Sequence, residues 1–171
     1  MTKRKWYQNP EMVVAFAALF VSLVTTVIGV YSAYTDRTYA RASVWPRIEI
    51  YNSFGDSIFS YSVTNNGTGP ALIKQVIISH NSKPIKNWRD IKELTYFVQS
   101  QIGNRILPSL ATIMPLKVEG KGSSIMKKQN EFITIEICYC SIYQECWVTD
   151  RTNQPKEIEF CKVNEEDAFL Q

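Results

Sequence analysis

Three of the chain's four cysteines, Cys138, Cys140 and Cys146, fall within nine residues of the stretch ICYCSIYQECW, and the fourth, Cys161, follows in KEIEFCKV. Thiols gathered this closely can hold a metal, exchange electrons or cross-link a fold. The spacing C-x-C-x5-C-x14-C is not the paired C-x2-C of common zinc sites. Nor is it a C-x-x-C opening a helix, where the dipole would lower a thiol pKa for redox work. Read as a β-hairpin turning near Tyr143, the stretch sets Cys140 across from Cys146 at a separation that a disulfide bridges. Cys138 then shares a face with Cys140, which leaves Cys161 as its partner. Four cysteines permit three pairings and sequence alone does not choose among them; Cys140–Cys146 with Cys138–Cys161 is the preferred set. Disulfides persist in oxidising compartments, so the chemistry of the cluster depends on which side of a membrane it lies.

The membrane is implied by VVAFAALFVSLVTTVIGVYSAY, Val13 to Tyr34, which carries no charge over 22 residues. At about 1.5 Å per residue such a helix reaches roughly 30 Å, the thickness of a bilayer's hydrocarbon core. Trp6 and Tyr7 before it and Tyr31 and Tyr34 at its end suit the two headgroup layers. A cleaved signal peptide is the rival, with an A-x-A pattern at Ala40 to Ala42. Its apolar core is normally only ~7–15 residues, and this site lies beyond Asp36 and Arg37. Lys3, Arg4 and Lys5 nearly balance Arg37, Arg41 and Arg47 across the span. The concentrated KRK and the cysteines favour a cytoplasmic N-terminus with the domain periplasmic, in a bacterial inner membrane.

The expected organisation is a stub over 1–12, the span over 13–34, a stalk or continued helix over 35–43, a β-sandwich over 44–164 and a frayed tail over 165–171. Residues 1–42 carry five basic and two acidic side chains, the whole net charge of +3, and the rest of the chain balances. A neutral domain lacks the basic footprint of a nucleic-acid binder, so no nucleic acid is expected as a partner. Period-two patterns mark strands at WPRIEIY, SIFSYSV, ALIKQVIIS, FITIEICYC, ECWVTD and KEIEF, with a broken apolar run at ILPSLATIMPL. Gly67 and Gly69, in NNGTGP, suit turn positions with positive φ, and Asn66-Gly67-Thr68 also matches a glycosylation sequon. Asn87 and Asp90 cap an amphipathic helix expected over Trp88–Ile102, with Ile91, Leu94, Val98 and Ile102 on its apolar face. GKGSSIMKKQN reads as a polar loop. The fold class is thus mainly β: a transmembrane helix followed by an antiparallel sandwich with one inserted helix.

The order of a membrane span, VWP at Val44–Pro46, NNGTGPALI at Asn65–Ile73 and CYCSIYQECW at Cys138–Trp147 resembles a set of uncharacterised bacterial single-span membrane proteins. That resemblance implies an immunoglobulin-like sandwich and a bacterial envelope, and brings no activity with it.

Catalytic signatures are missing. His80 is the only histidine and ends a strand, no G-x-S-x-G elbow occurs, and no glycine loop precedes a helix that would hold phosphate. Neither catalysis, a cofactor nor a metal is expected. Trp45, Trp88 and Trp147 could stack on sugars, although tryptophan more often anchors a sandwich core. In the span, Ala18, Ser22, Thr25, Gly29 and Ala33 form one face of small residues that lets two helices pack closely. The expected function is non-catalytic binding: an accessory subunit of an envelope complex, anchored in the lipid bilayer, with a protein partner and a homo-oligomer through the helix as its contacts. The alternatives are an immunity or phage-exclusion protein acting at the membrane and an envelope-glycan binder.

Overall fold

The computed structural model describes residues 9–92, 94 and 96–170. Lys3, Arg4, Lys5, Trp6 and Tyr7 lie outside them. The chain divides into two compact units at Ala42/Ser43.

The first unit is one helix, α1 (Pro10–Ala42), long and apolar enough to cross a membrane. The segment 35–42 continues the helix rather than forming an irregular stalk. No described side chain of α1 is buried. Its hydroxyls are satisfied within the helix: Ser22 donates to the Leu19 carbonyl at 2.8 Å, Thr25 to Val21 and Ser22 at 3.0 Å, and Thr26 to Ser22 at 2.7 Å. An unsatisfied hydroxyl in hydrocarbon would cost several kcal/mol, so these back-bonds remove the main objection to an apolar surrounding.

The second unit is mainly β. Its strands are β1 (Ile48–Phe54), β2 (Ile58–Asn65), β3 (Ala71–His80), β4 (Lys83–Ile85), β5 (Arg105–Leu107), β6 (Thr112–Glu119), β7 (Ile133–Cys140), β8 (Cys146–Asp150) and β9 (Lys156–Ile158). All pairings are antiparallel, in one sheet of order β1-β2-β6 and another of order β4-β3-β7-β8-β9, where β5 also pairs with β3. β1 and β2 pair, β3 crosses over, β6 returns to β2 and β7 returns to β3. This is the Greek-key order of an immunoglobulin-type sandwich. Alternation fills the core: Ile48, Ile50, Phe59, Tyr61 and Val63 face Ile73, Val76, Ile78, Ile135, Ile137 and Tyr139, all nearly inaccessible. One free edge is closed by a side chain. The amide of Asn153 accepts from Ile50 N at 2.7 Å and donates to Ile50 O at 3.0 Å, imitating a strand partner on β1.

Four expectations are corrected. The helix expected over Trp88–Ile102 is a single 3-10 turn, Trp88–Asp90, closed by its Asn87/Asp90 capping box and ended by extended backbone at Ile91. The cap predicted there is real, yet the next residues run irregularly and Val98 bridges to Lys117 with both bonds at 2.8 Å. The edge of β6 offers unpaired backbone groups, and the β-favouring Tyr96-Phe97-Val98 takes them. Ile91, Leu94 and Ile102 reach the core from this irregular path, while Val98 is exposed.

The inserted helix lies elsewhere, at α2 (Lys121–Gln129), in the stretch expected to be a loop. Gly120, at φ 65°, turns the chain off β6, and Ser123 and Met126 are the buried residues of α2. The tail is docked rather than frayed: Phe169 is buried, and Phe169 N donates to Val76 O at 2.9 Å.

The fourth correction concerns Gly67 and Gly69, which do not occupy positive φ. They are glycine because the backbone of Val44–Arg47 passes directly over them. A Cβ on Gly69 would sit 1.9 Å from the Val44 carbonyl oxygen, and one on Gly67 2.3 Å from that of Trp45.

Tyr61 carries a prediction about alkaline stability. Its hydroxyl donates to Asn130 Oδ1 at 2.7 Å, with the Arg151 guanidinium over its ring at 5.7 Å. Burial pushes its pKa up to about 12, against the downward pull of Arg151. Below the unfolded value near 10 both states hold the proton. Between about 10 and 12 the unfolded chain releases it first, so stability falls by up to about 1.4 kcal/mol per pH unit. Tyr61→Phe should lose that component of the slope, leaving a smaller one from Tyr139, which burial also raises. Denaturant melts at pH 9 to 12 with equal slopes in both proteins would refute the assignment.

Candidate functional site

The outward face of the β3-β7-β8-β9 sheet carries the features that core packing does not explain. On β7, Ile133, Ile135, Ile137 and Tyr139 point inward, so Thr134, Glu136, Cys138 and Cys140 point outward. A bulge between Ile73 and Gln75 on β3 resets the alternation, which brings Gln75 opposite Cys138, Ile77 opposite Glu136 and Ser79 opposite Thr134. On β8, Val148 stands opposite Cys138 and Asp150 opposite Glu136.

Two adjoining grooves of about 580 and 470 Å³ share Ile77 and Glu136. The first runs past Ser79, Thr134, Asp150 and Thr152; the second past Val148, Ile158, Phe160 and Lys162. The second groove is apolar along Val148, Ile158 and Phe160; the first is polar around Ile77, with Arg151 in its lining and the carboxylates of Glu136 and Asp150 on residues opposed across a strand pair. Like charges directly opposite are destabilising. Among the described residues, neither carboxylate is drawn into an ion pair like Arg47–Glu49 or Lys117–Glu119, although the Lys156 ammonium acts on Asp150 from nearby. Asp150 accepts from the Thr152 hydroxyl at 2.6 Å and from Thr152 N at 2.8 Å, and these bonds, helped by the nearby Lys156 charge, hold its carboxyl below the usual range. It remains charged beside Glu136 at neutral pH.

Compared with protein-family models, with curated proteins and with solved structures, the chain finds no match.

At the hairpin end of the same face, Cys138 is bonded to Cys161 and Cys140 to Cys146. Cys140 and Cys146 are a directly opposed pair in the β7-β8 ladder, closed by a turn in which the Ser141 hydroxyl accepts from Tyr143 N at 3.1 Å and Glu145 N at 3.3 Å. The C-terminal segment is drawn across the sheet by Cys161 and covers the other three cysteines, all buried.

The remaining predicted residues are dispersed. Trp88 is fully buried in the core, with Nε1 donating to the Pro115 carbonyl at 3.1 Å. Trp45 and Trp147 pair at 6.4 Å between ring centres, tilted by 55°. The three tryptophans therefore do not form one exposed platform. His80 ends β3, where its Nε2 lies 2.8 Å from Gln129 Oε1. Ala18, Ser22, Thr25, Gly29 and Ala33 all lie on α1. The opposed carboxylates have one signal in the sequence: the register that sets Cys140 across from Cys146 also sets Glu136 across from Asp150.

Proposed function

We propose that the chain is a membrane-anchored, non-catalytic binding subunit of a bacterial envelope complex, with α1 crossing the inner membrane and the sandwich in the periplasm. The small-residue face of α1, Ala18, Ser22, Thr25, Gly29 and Ala33, supports self-association within the bilayer, since short side chains let a second helix approach closely. The sandwich engages a protein partner through its grooved outer face. The observation that carries this reading is the Glu136/Asp150 opposition over Ile77. A Lys or Arg side chain from a partner reaches both carboxylates at once while its stem lies over Ile77. The second groove, with Val148, Ile158 and Phe160, receives the apolar part of the same segment.

The test is capture of the partner from native membranes with full-length wild type and with Glu136→Gln/Asp150→Asn. Tm should change little, because asparagine keeps an oxygen for the Thr152 bonds and the charge lost is solvent-exposed, while retention of the partner weakens by about tenfold or more. A variant that melts like wild type and retains the same protein equally well would remove this face from the binding model.

A further inference from the structure

We infer that the four cysteines form one centre with two states: two disulfides when oxidised and, once both are opened, a thiolate site for a single soft divalent ion of the zinc type. Two independent staples have no need to touch. Here Cys140 Sγ and Cys161 Sγ, which belong to different disulfides, lie 3.8 Å apart. With Zn–S bonds of about 2.3 Å, the edge of a tetrahedral zinc-thiolate site is about 3.8 Å. The sulfurs of Cys140, Cys146 and Cys161 all lie within 4.8 Å of one another; Cys138, bonded to Cys161, lies outside that group, and its side chain must rotate toward it to supply the fourth ligand.

The frame around the sulfurs does not depend on the S–S bonds. Cys138 and Cys140 sit on β7 and Cys146 on β8, within a ladder held by backbone hydrogen bonds. Cys161 lies outside any strand, so it has freedom to adjust. Its segment is nonetheless held near the sheet without the disulfide: Gln75 Nε2 donates to Asn164 O at 2.9 Å, Asn164 N to Gln75 Oε1 at 3.3 Å, and Phe169 stays in the core. Opening the disulfides therefore leaves four thiols side by side. Each opening consumes one dithiol: the protein S–S bond breaks, two hydrogens pass to its sulfurs, and the reductant closes its own disulfide. Metal binding then displaces the thiol protons into water.

The experiment uses the full chain in detergent, reduced anaerobically with a phosphine and titrated with Co(II) as the spectroscopic stand-in for zinc. The expected result is the thiolate charge-transfer and tetrahedral ligand-field absorption of cobalt, saturating at one ion per chain and bleached by one equivalent of Zn(II). The oxidised protein should show none of it, and Cys140→Ser and Cys161→Ser should each lose most of it. Near-UV circular dichroism follows the fold throughout. Reduced wild type with four titratable thiols but no cobalt-thiolate absorption overturns the inference, whether its fold persists or collapses. Undiminished binding in both serine variants overturns it as well.

Discussion

Replacing Asn65 with alanine should cost the domain about 3–5 kcal/mol, from several buried backbone groups left unpaired at about 1–3 kcal/mol each. Asn65 is fully buried at the end of β2. Its Oδ1 accepts from Arg47 N at 3.1 Å and Gly67 N at 3.0 Å, and its Nδ2 donates to the carbonyls of Gly69 at 2.8 Å, Leu107 at 3.1 Å and Pro108 at 3.2 Å. One amide therefore joins the lead into β1, the loop before β3 and the chain leaving β5. Asn65→Asp should be at least as damaging, because it turns a carboxylate oxygen toward three carbonyls. Urea unfolding of the full chain in micelles, followed by the fluorescence of buried Trp88, measures the effect. A loss below about 1 kcal/mol in Asn65→Ala would mean that water replaces these bonds and that the node has no special weight.

The same node explains how much of the fold could be read in advance. VWP and NNGTGP are both plain in the sequence, one leading into β1 and the other joining β2 to β3. What the sequence did not convey is that the two segments touch, so the glycines drew a local explanation, positive φ, when the cause is the passing backbone of Val44–Arg47. Strands with strict alternation, such as ITIEICYC, were legible because period two fixes which side chains share a face. The segment after Asn87 mimics a helix because Ile91, Leu94 and Ile102 satisfy a helical spacing, while burial alone decides their positions and the edge of β6 recruits Val98. α2 is hidden in the sequence for the opposite reason. Its apolar face amounts to little more than Ile125 and Met126, and contact with β2 and β6 stabilises it more than propensity does. At the candidate site, the cysteines were visible through their type. Glu136 and Asp150 were visible only through the register of the hairpin, since a lone carboxylate on a strand reads as an ordinary solvated residue.

Trp88→Ala is the second substitution expected to have a large effect, at about 4–5 kcal/mol, the upper range for emptying a buried aromatic site. Trp88 is fully buried between Tyr61, stacked at 5.7 Å and 17°, and Phe169, edge-on at 5.2 Å and 64°. Its indole N–H meets the Pro115 carbonyl at 3.1 Å, so alanine also leaves a buried acceptor without its donor. Trp88→Phe keeps much of the volume and loses that bond, and should cost roughly half as much. The geometry further requires that the tail depend on this ring. Phe169 reaches the core by resting on Trp88, so once the indole is gone its own contribution largely disappears. Phe169→Ala should therefore cost clearly less in the Trp88→Ala background than in wild type, a coupling of about 1 kcal/mol or more for residues in direct contact. Full additivity in a double-mutant cycle would show that the tail packs independently, and that the contact between the two rings contributes little to holding Cys161 over the sheet.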